Sequence, residues 1–112
     1  MEQFIYKICP TPLWQDAVEA GRFEGAGIDI QDGYIHFSTA AQTAETLALH
    51  FAGQEGLTLV QVDVASLDIK WEASRGGQLF PHLYEALPLS AVTASWQLAI
   101  GADGAHILPA LA

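Results

Sequence analysis

The chain has 112 residues, of which 51% are apolar and 15% charged. That balance excludes whole-chain disorder and gives one domain, residues 1–112, enough apolar surface for a core without staples. Four basic residues stand against thirteen acidic ones, for a net charge of −9 spread over both halves. Lys7, Arg22, Lys70 and Arg75 form no cluster, which excludes a nucleic-acid platform and docking on anionic lipid. A small ligand held by one or two cations fits this charge pattern.

The single cysteine, Cys9, permits no internal disulfide and fits a reducing compartment. No apolar stretch approaches the length of a membrane span. Met1–Tyr6 has neither the basic nor the long apolar region of a signal peptide. Cytoplasmic residence is therefore expected.

In chain order, Gln3–Cys9 predicts a short strand. Thr11-Pro12 predicts a helix start, with Thr11 capping and Leu13, Trp14, Ala17 and Val18 on the inner face. Gly21 predicts its end. Gly25, Gly27 and Asp32-Gly33 mark an irregular connection into a strand, Tyr34–Ser38. Thr39 and Gln42 have the spacing of a capping box. The helix behind them carries Ala40, Ala44, Leu47, Ala48 and Phe51 as one stripe. Leu57–Val64 reads as a central strand, and Ile69–Glu72 as another strand. Ser74–Gln78 reads as a loop. Phe80–Tyr84 is extended or a short turn, because of Pro81. Ala91–Ile100 and His106–Leu108 predict a hairpin across Gly101–Gly104. Two helices and five or six strands make an α+β class. The apolar end, Ile107–Ala112, packs either on the sheet or on a second subunit.

Two segments carry the chemistry. On a strand, Tyr34, His36 and Ser38 share one face while Ile35 and Phe37 face the core. That polar row ends at a helix N-terminus, near Thr39 and Gln42, where free amides favour a phosphate, carboxylate or sugar hydroxyl. The second segment runs from Trp71 to Tyr84. Gly76-Gly77 lets the backbone approach a ligand, and Arg75 has the fork that pairs with a phosphate. Phe80, His82 and Tyr84, if extended, form an aromatic wall with one titratable group. The blander reading is a satisfied histidine beside an ordinary cap, and a loop with an Arg75–Glu72 ion pair. The four histidines have no metal-ligand spacing, so no metal is expected. No Gly-x-Ser-x-Gly elbow is present. Cys9, Trp14 and Trp96 read as core, and His50 as a surface residue.

The run from Asp32 through Gln42, the Phe80–Tyr84 motif, the opening Ile5–Ile8 and the Trp71-Glu72 pair closely resemble the bacterial family called domain of unknown function 952. The resemblance covers nearly the whole chain. It implies a split, mostly antiparallel sheet similar to the ADP-ribosyltransferase group, whose cleft holds NAD in relatives. Ile35–Ser38 looks like the Val-His-Leu-Ser segment of the RNA 2′-phosphotransferases in that group. Ile5–Ile8 departs from their first motif, with Lys7-Ile8 in place of His-Gly. The late glutamate used by such transferases has two candidates by residue type, Glu72 and Glu85, and Glu72 is the one preferred. The resemblance thus implies a nucleotide or NAD-like ligand in a cleft. His36 and Glu72 are its catalytic candidates. Tyr34, Ser38, Thr39, Gln42, Trp71, Arg75, Phe80, His82 and Tyr84 are its binding candidates. The alternative is a non-catalytic interaction or structural module in which these motifs only stabilise loops.

Overall fold

The computed structural model describes residues 2–111, and the side chain of Arg75 lies outside the described part. Among the described residues, eight strands and three α-helices make a small antiparallel α+β fold. They are β1 (Phe4–Pro10), α1 (Thr11–Ala20), β2 (Arg22–Phe23), α2 (Ile28–Asp32), β3 (Ile35–His36), α3 (Ala40–His50), β4 (Leu57–Asp63), β5 (Ile69–Ala73), β6 (Leu79–Leu83), β7 (Leu87–Pro88) and β8 (Val92–Leu98). One sheet has the order β1-β4-β8, a second β3-β6-β5, and β2 pairs with β7 as a short ribbon. Among the described residues, no helix is long and apolar enough to cross a membrane.

The continuous apolar run of β4 has a direct cause. Its sheet is covered on both faces, so neither set of alternating side chains meets water. Val60 and Val62 join Ile5 and Cys9 of β1 in a core closed by Trp14 and Ala17 of α1. Leu57 and Leu59 join Tyr6 and Ile8 in a second core closed by Leu47 of α3. Leu108 and Leu111 pack against this second core, so the apolar C-terminal segment folds back on its own sheet.

The two three-stranded sheets are sewn together at one place. Tyr6 and Ser38 exchange both backbone hydrogen bonds, each at 2.8 Å, and the Phe37 amide donates to the Pro81 carbonyl at 3.0 Å. Beyond this stitch the sheets part. The expected antiparallel pairing and α+β class are therefore present, and the two sheets meet beside His36.

Several local expectations need correction. The Tyr34–Ser38 strand is regular only at Ile35–His36, because Ser38 turns away from β6 to pair with β1. The irregular connection contains a helical turn, α2, between glycines at φ 56° (Gly27) and φ 83° (Gly33). Gly33 closes that turn in the left-handed region, where a side chain costs about 1–2 kcal/mol. Thr11 does not cap α1. Pro10 occupies the cap position without a side-chain bond, and the Thr11 hydroxyl instead meets Thr58 at 2.8 Å. Leu13 and Val18 are exposed, so only Trp14 and Ala17 of the expected face are buried. In α3, Leu47 is buried with Ala40 and Phe51 packed beside it as expected, but Thr43 is buried too, and Ala44 and Ala48 face outward. Thr43 supports this rotation by bonding its hydroxyl to the Thr39 carbonyl at 2.8 Å. The late hairpin reduces to a single bridge, Ile100 to His106. The Gly21 stop and the Thr39/Gln42 capping box are as expected.

Candidate functional site

A cleft of about 170 Å³ opens where the sheets part. Lys7 comes to it from β1, His36 and Ser38 from the β3 segment, Phe80 and His82 from β6, and His50 and Phe51 from the end of α3. The pairing of β3 with β6 places His36 opposite His82. Cross-strand partners share a face, and the two rings lie 5.3 Å apart, edge to face. Both histidine motifs singled out in the sequence thus meet at one site.

The two imidazoles are held differently. His36 is gripped by α2. Its Nδ1 lies 2.6 Å from Asp29 Oδ1 and its Nε2 lies 3.0 Å from Asp32 Oδ2. Both contacts are hydrogen bonds only when both nitrogens carry protons. Asp29 is 2% exposed. It also accepts from the backbone amides of Ala26 at 3.0 Å and His36 at 3.1 Å, and pairs with Lys7 Nζ at 2.6 Å. Burial works to raise the Asp29 pKa, but the His36 hydrogen bond and the Lys7 charge outweigh it and hold the carboxyl below its ordinary value. Lys7 is itself lowered, chiefly by burial, against the pull of Asp29. Its ammonium also donates to the His36 carbonyl at 3.0 Å. Lys7, which looks like a misfit beside the transferase motif, is thus the buried counter-charge of this cluster.

His82 is 3% exposed and has one carboxylate partner. Its Nδ1 lies 2.8 Å from Glu72 Oε1, and Tyr84 donates its hydroxyl to the same oxygen at 2.7 Å. These two hydrogen bonds hold the Glu72 carboxyl below its ordinary value. With Nδ1 turned to Glu72, Nε2 is the nitrogen left for the cleft. Tyr34 binds the two halves together, its ring 4.5 Å from His36, 4.4 Å from His82 and 4.9 Å from Tyr84. Burial, with the charges of Asp32 and Glu72, raises the Tyr34 phenol. The Tyr84 phenol is pushed up to about 12, first by its hydrogen bond to Glu72. Glu72→Gln is expected to bring the Tyr84 titration down toward the ordinary tyrosine value. Ring-carbon NMR against pH reads this, and an unmoved titration would show that the bond is not made in solution.

Among the other candidates, Ser38 and Phe80 line the cleft. The Ser38 hydroxyl meets Thr46 Oγ1 at 2.9 Å, and Thr46 donates to the Gln42 carbonyl at 3.1 Å. Ser38 is therefore the donor to Thr46, and its oxygen is left as an acceptor. Thr39 and Gln42 serve the capping box, and the Gln42 amide also holds the Leu79 carbonyl at 2.9 Å. Neither lines the cleft, so the helix start they close is not open to an anion there. Trp71 alternates with Glu72 on β5, faces away from it and is 38% exposed. The Arg75 side chain lies outside the described residues, and its part in phosphate binding stays an expectation. Cys9 is buried, and burial pushes its thiol up to about 11, which leaves it inert. Among the described residues, no group of three or more metal-ligating side chains comes together.

Asp29 escapes the sequence reading, and Asp32 enters it only as a turn residue and as the start of a motif. The only trace is their spacing of three on what proves to be a helical turn, followed four residues after Asp32 by His36.

The fold and sequence are similar to protein CC0527 from Caulobacter crescentus. Its X-ray crystal structure is 46% identical with a TM-score of 0.87, over 93% of each chain. Its solution NMR structure is 48% identical with a TM-score of 0.83, over 92% of this chain and 90% of that one. Both are structural genomics targets. None of the curated proteins matches the chain. Residues 8–95, which hold β1 from its middle, the α2 clamp and both histidine motifs, match the family described as "Protein of unknown function (DUF952)", and the chain belongs to that family.

Proposed function

We propose that this protein binds a small ring-bearing, hydroxylated ligand, the nucleoside part of a nucleotide or an NAD-like molecule, in the cleft between its two sheets. The observation that carries this reading is the convergence of His82, Ser38, Phe51 and Phe80 on one concave site. Apolar walls with a few placed polar groups are the common composition of ligand pockets. The size narrows the ligand. About 170 Å³ is below the roughly 300–1,000 Å³ of sites that engulf drug-sized molecules. The cleft takes one ring, and the rest of a dinucleotide lies outside it.

An ADP-ribosyltransferase-like relationship is the finer form of this proposal. What supports it is the cleft at the split of an antiparallel sheet, with His36 and Ser38 of the matching segment on its wall. Transfer from NAD would then be the activity class, and the protein would work in the cytoplasm on a small molecule, without nucleic acid.

A second reading is favoured at one residue. Both ring nitrogens of His36 are engaged by carboxylates, so this histidine holds the β3 segment and α2 together and offers no free nitrogen to a ligand. The loop-stabilising role thus belongs to His36, and the ligand role to His82.

The test is an amide NMR titration with NAD, ADP-ribose, adenosine and ribose, each to millimolar concentration. Shifts are expected to cluster at residues 36–38, 50–51 and 80–82. Adenosine should reproduce most of the pattern given by NAD. An absence of shifts with all four compounds would sink the proposal.

A further inference from the structure

We propose, on the footing that the cleft holds a hydroxylated ligand as above, that His82 is an acid–base centre which takes a proton from that hydroxyl, with Glu72 as its positioning residue. The argument starts from proton accounting. The Glu72 oxygen that meets His82 also accepts from the Tyr84 hydroxyl. An ionised carboxylate only accepts, so His82 Nδ1 is the donor and the neutral ring carries its lone pair on Nε2. The His82 ring lines the cleft together with Ser38, and an alcohol bound there finds an acceptor for its proton at that nitrogen.

In the step, the ligand O–H bond breaks and its electron pair stays on oxygen. An N–H bond forms at Nε2, and Glu72 stands against the resulting imidazolium. The proton returns by the same path, so no oxidant, reductant or co-reactant enters. A base oriented by a carboxylate behind it is the arrangement that activates hydroxyls in unrelated enzymes. His36 lacks this capacity although it lines the same cleft, because Asp29 and Asp32 occupy both its nitrogens. Of two histidines 5.3 Å apart, one is locked and one is poised. Tyr34 stacks on both and fixes the plane of His82.

Two measurements test this. Long-range nitrogen–proton NMR of the unaltered protein reads the tautomer, and His82 is expected with Nδ1 protonated and Nε2 bare in its neutral form. A proton on Nε2 in that form would overturn the proposal. Diethyl pyrocarbonate acylates bare imidazole nitrogens, and peptide mass spectrometry follows each histidine. His82 is expected to react faster than His36. Glu72→Gln is expected to slow His82 several-fold, because the carboxylate no longer supports the charge that acylation builds on the ring, with His50 as internal reference. An unchanged rate in the folded variant would also overturn the proposal. Neither readout needs a ligand. A reactive His82 beside an empty titration refutes the cleft ligand alone, and shifts beside an inert His82 refute the acid–base role alone.

Discussion

Asp29→Ala is expected to lower stability by about 3–5 kcal/mol, because it leaves the Lys7 ammonium buried without its counter-charge. For a domain of this length that is a fall in Tm of well over about 10 °C. The loss has a second component, since the Ala26 and His36 amides also lose their acceptor. Adding Lys7→Met to Asp29→Ala is expected to recover part of the loss, because the double variant has no buried charge to leave unpaired. The two single variants and the double variant close a cycle that isolates the pair. Calorimetry or denaturant unfolding reads it, and a loss below about 1 kcal/mol for Asp29→Ala would mean that the cluster opens to water in solution. The pH dependence follows from the direction of the shift. The Asp29 pKa is lower in the folded than in the unfolded chain. Its contribution is therefore complete above the ordinary carboxylate range and disappears as the pH falls through the folded value. The unaltered protein should lose stability below about pH 4 more steeply than Asp29→Asn does.

The second large effect is a separation of the two histidines. His36→Ala is expected to cost about 2 kcal/mol, from two hydrogen bonds to charged groups and the face of Tyr34. Affinity for adenosine should change little. His82→Asn is expected to do the reverse. The asparagine amide replaces Nδ1 as donor to Glu72 and nothing replaces Nε2. Affinity should fall at least about tenfold, or about 1.4 kcal/mol, with Tm within a few degrees of the unaltered protein. Thermal unfolding and the NMR titration on both variants check this. Equal losses of affinity, or a stable His36→Ala, would refute the division of labour.

The legible parts of this fold are those whose cause is local. A run such as Leu57–Val64, short and rich in β-branched residues, reads as a strand covered on both sides, and Leu57–Asp63 is the centre of the β1-β4-β8 sheet. The reciprocal bonds of Thr39 and Gln42 need only three residues of spacing, and the helix starts there. Gly21 ends α1 for the same kind of reason. The errors fall where a distant partner decides. Thr11 looks like a cap and is drawn instead to Thr58, 47 residues on. The α3 stripe counts apolar residues, whereas the face that is buried is set by Thr43 and Leu47 against the β1 sheet. Ser38 leaves the β3 ladder because β1 offers Tyr6.

The site divides along the same line. Composition, the missing basic clusters and the two histidine motifs are properties of the chain taken residue by residue, and they already point to a small-ligand cleft in an α+β domain. Which histidine is free is not such a property. His36 and His82 are alike in sequence, each in a strand between apolar neighbours. Their difference comes from Asp29 and Asp32 on a helical turn too short for a periodicity to reveal, and from Glu72 on a neighbouring strand. Hydrogen bonds act over about 3 Å; the α2 turn brings Asp29 and Asp32 within that reach of His36, and the pairing of β5 with β6 brings Glu72 to His82. The sequence by itself thus determined that the chain would carry imidazoles on a strand face. The fold decided that carboxylates clamp His36 on both sides and hold His82 by one nitrogen, with its ring on the wall of the cleft.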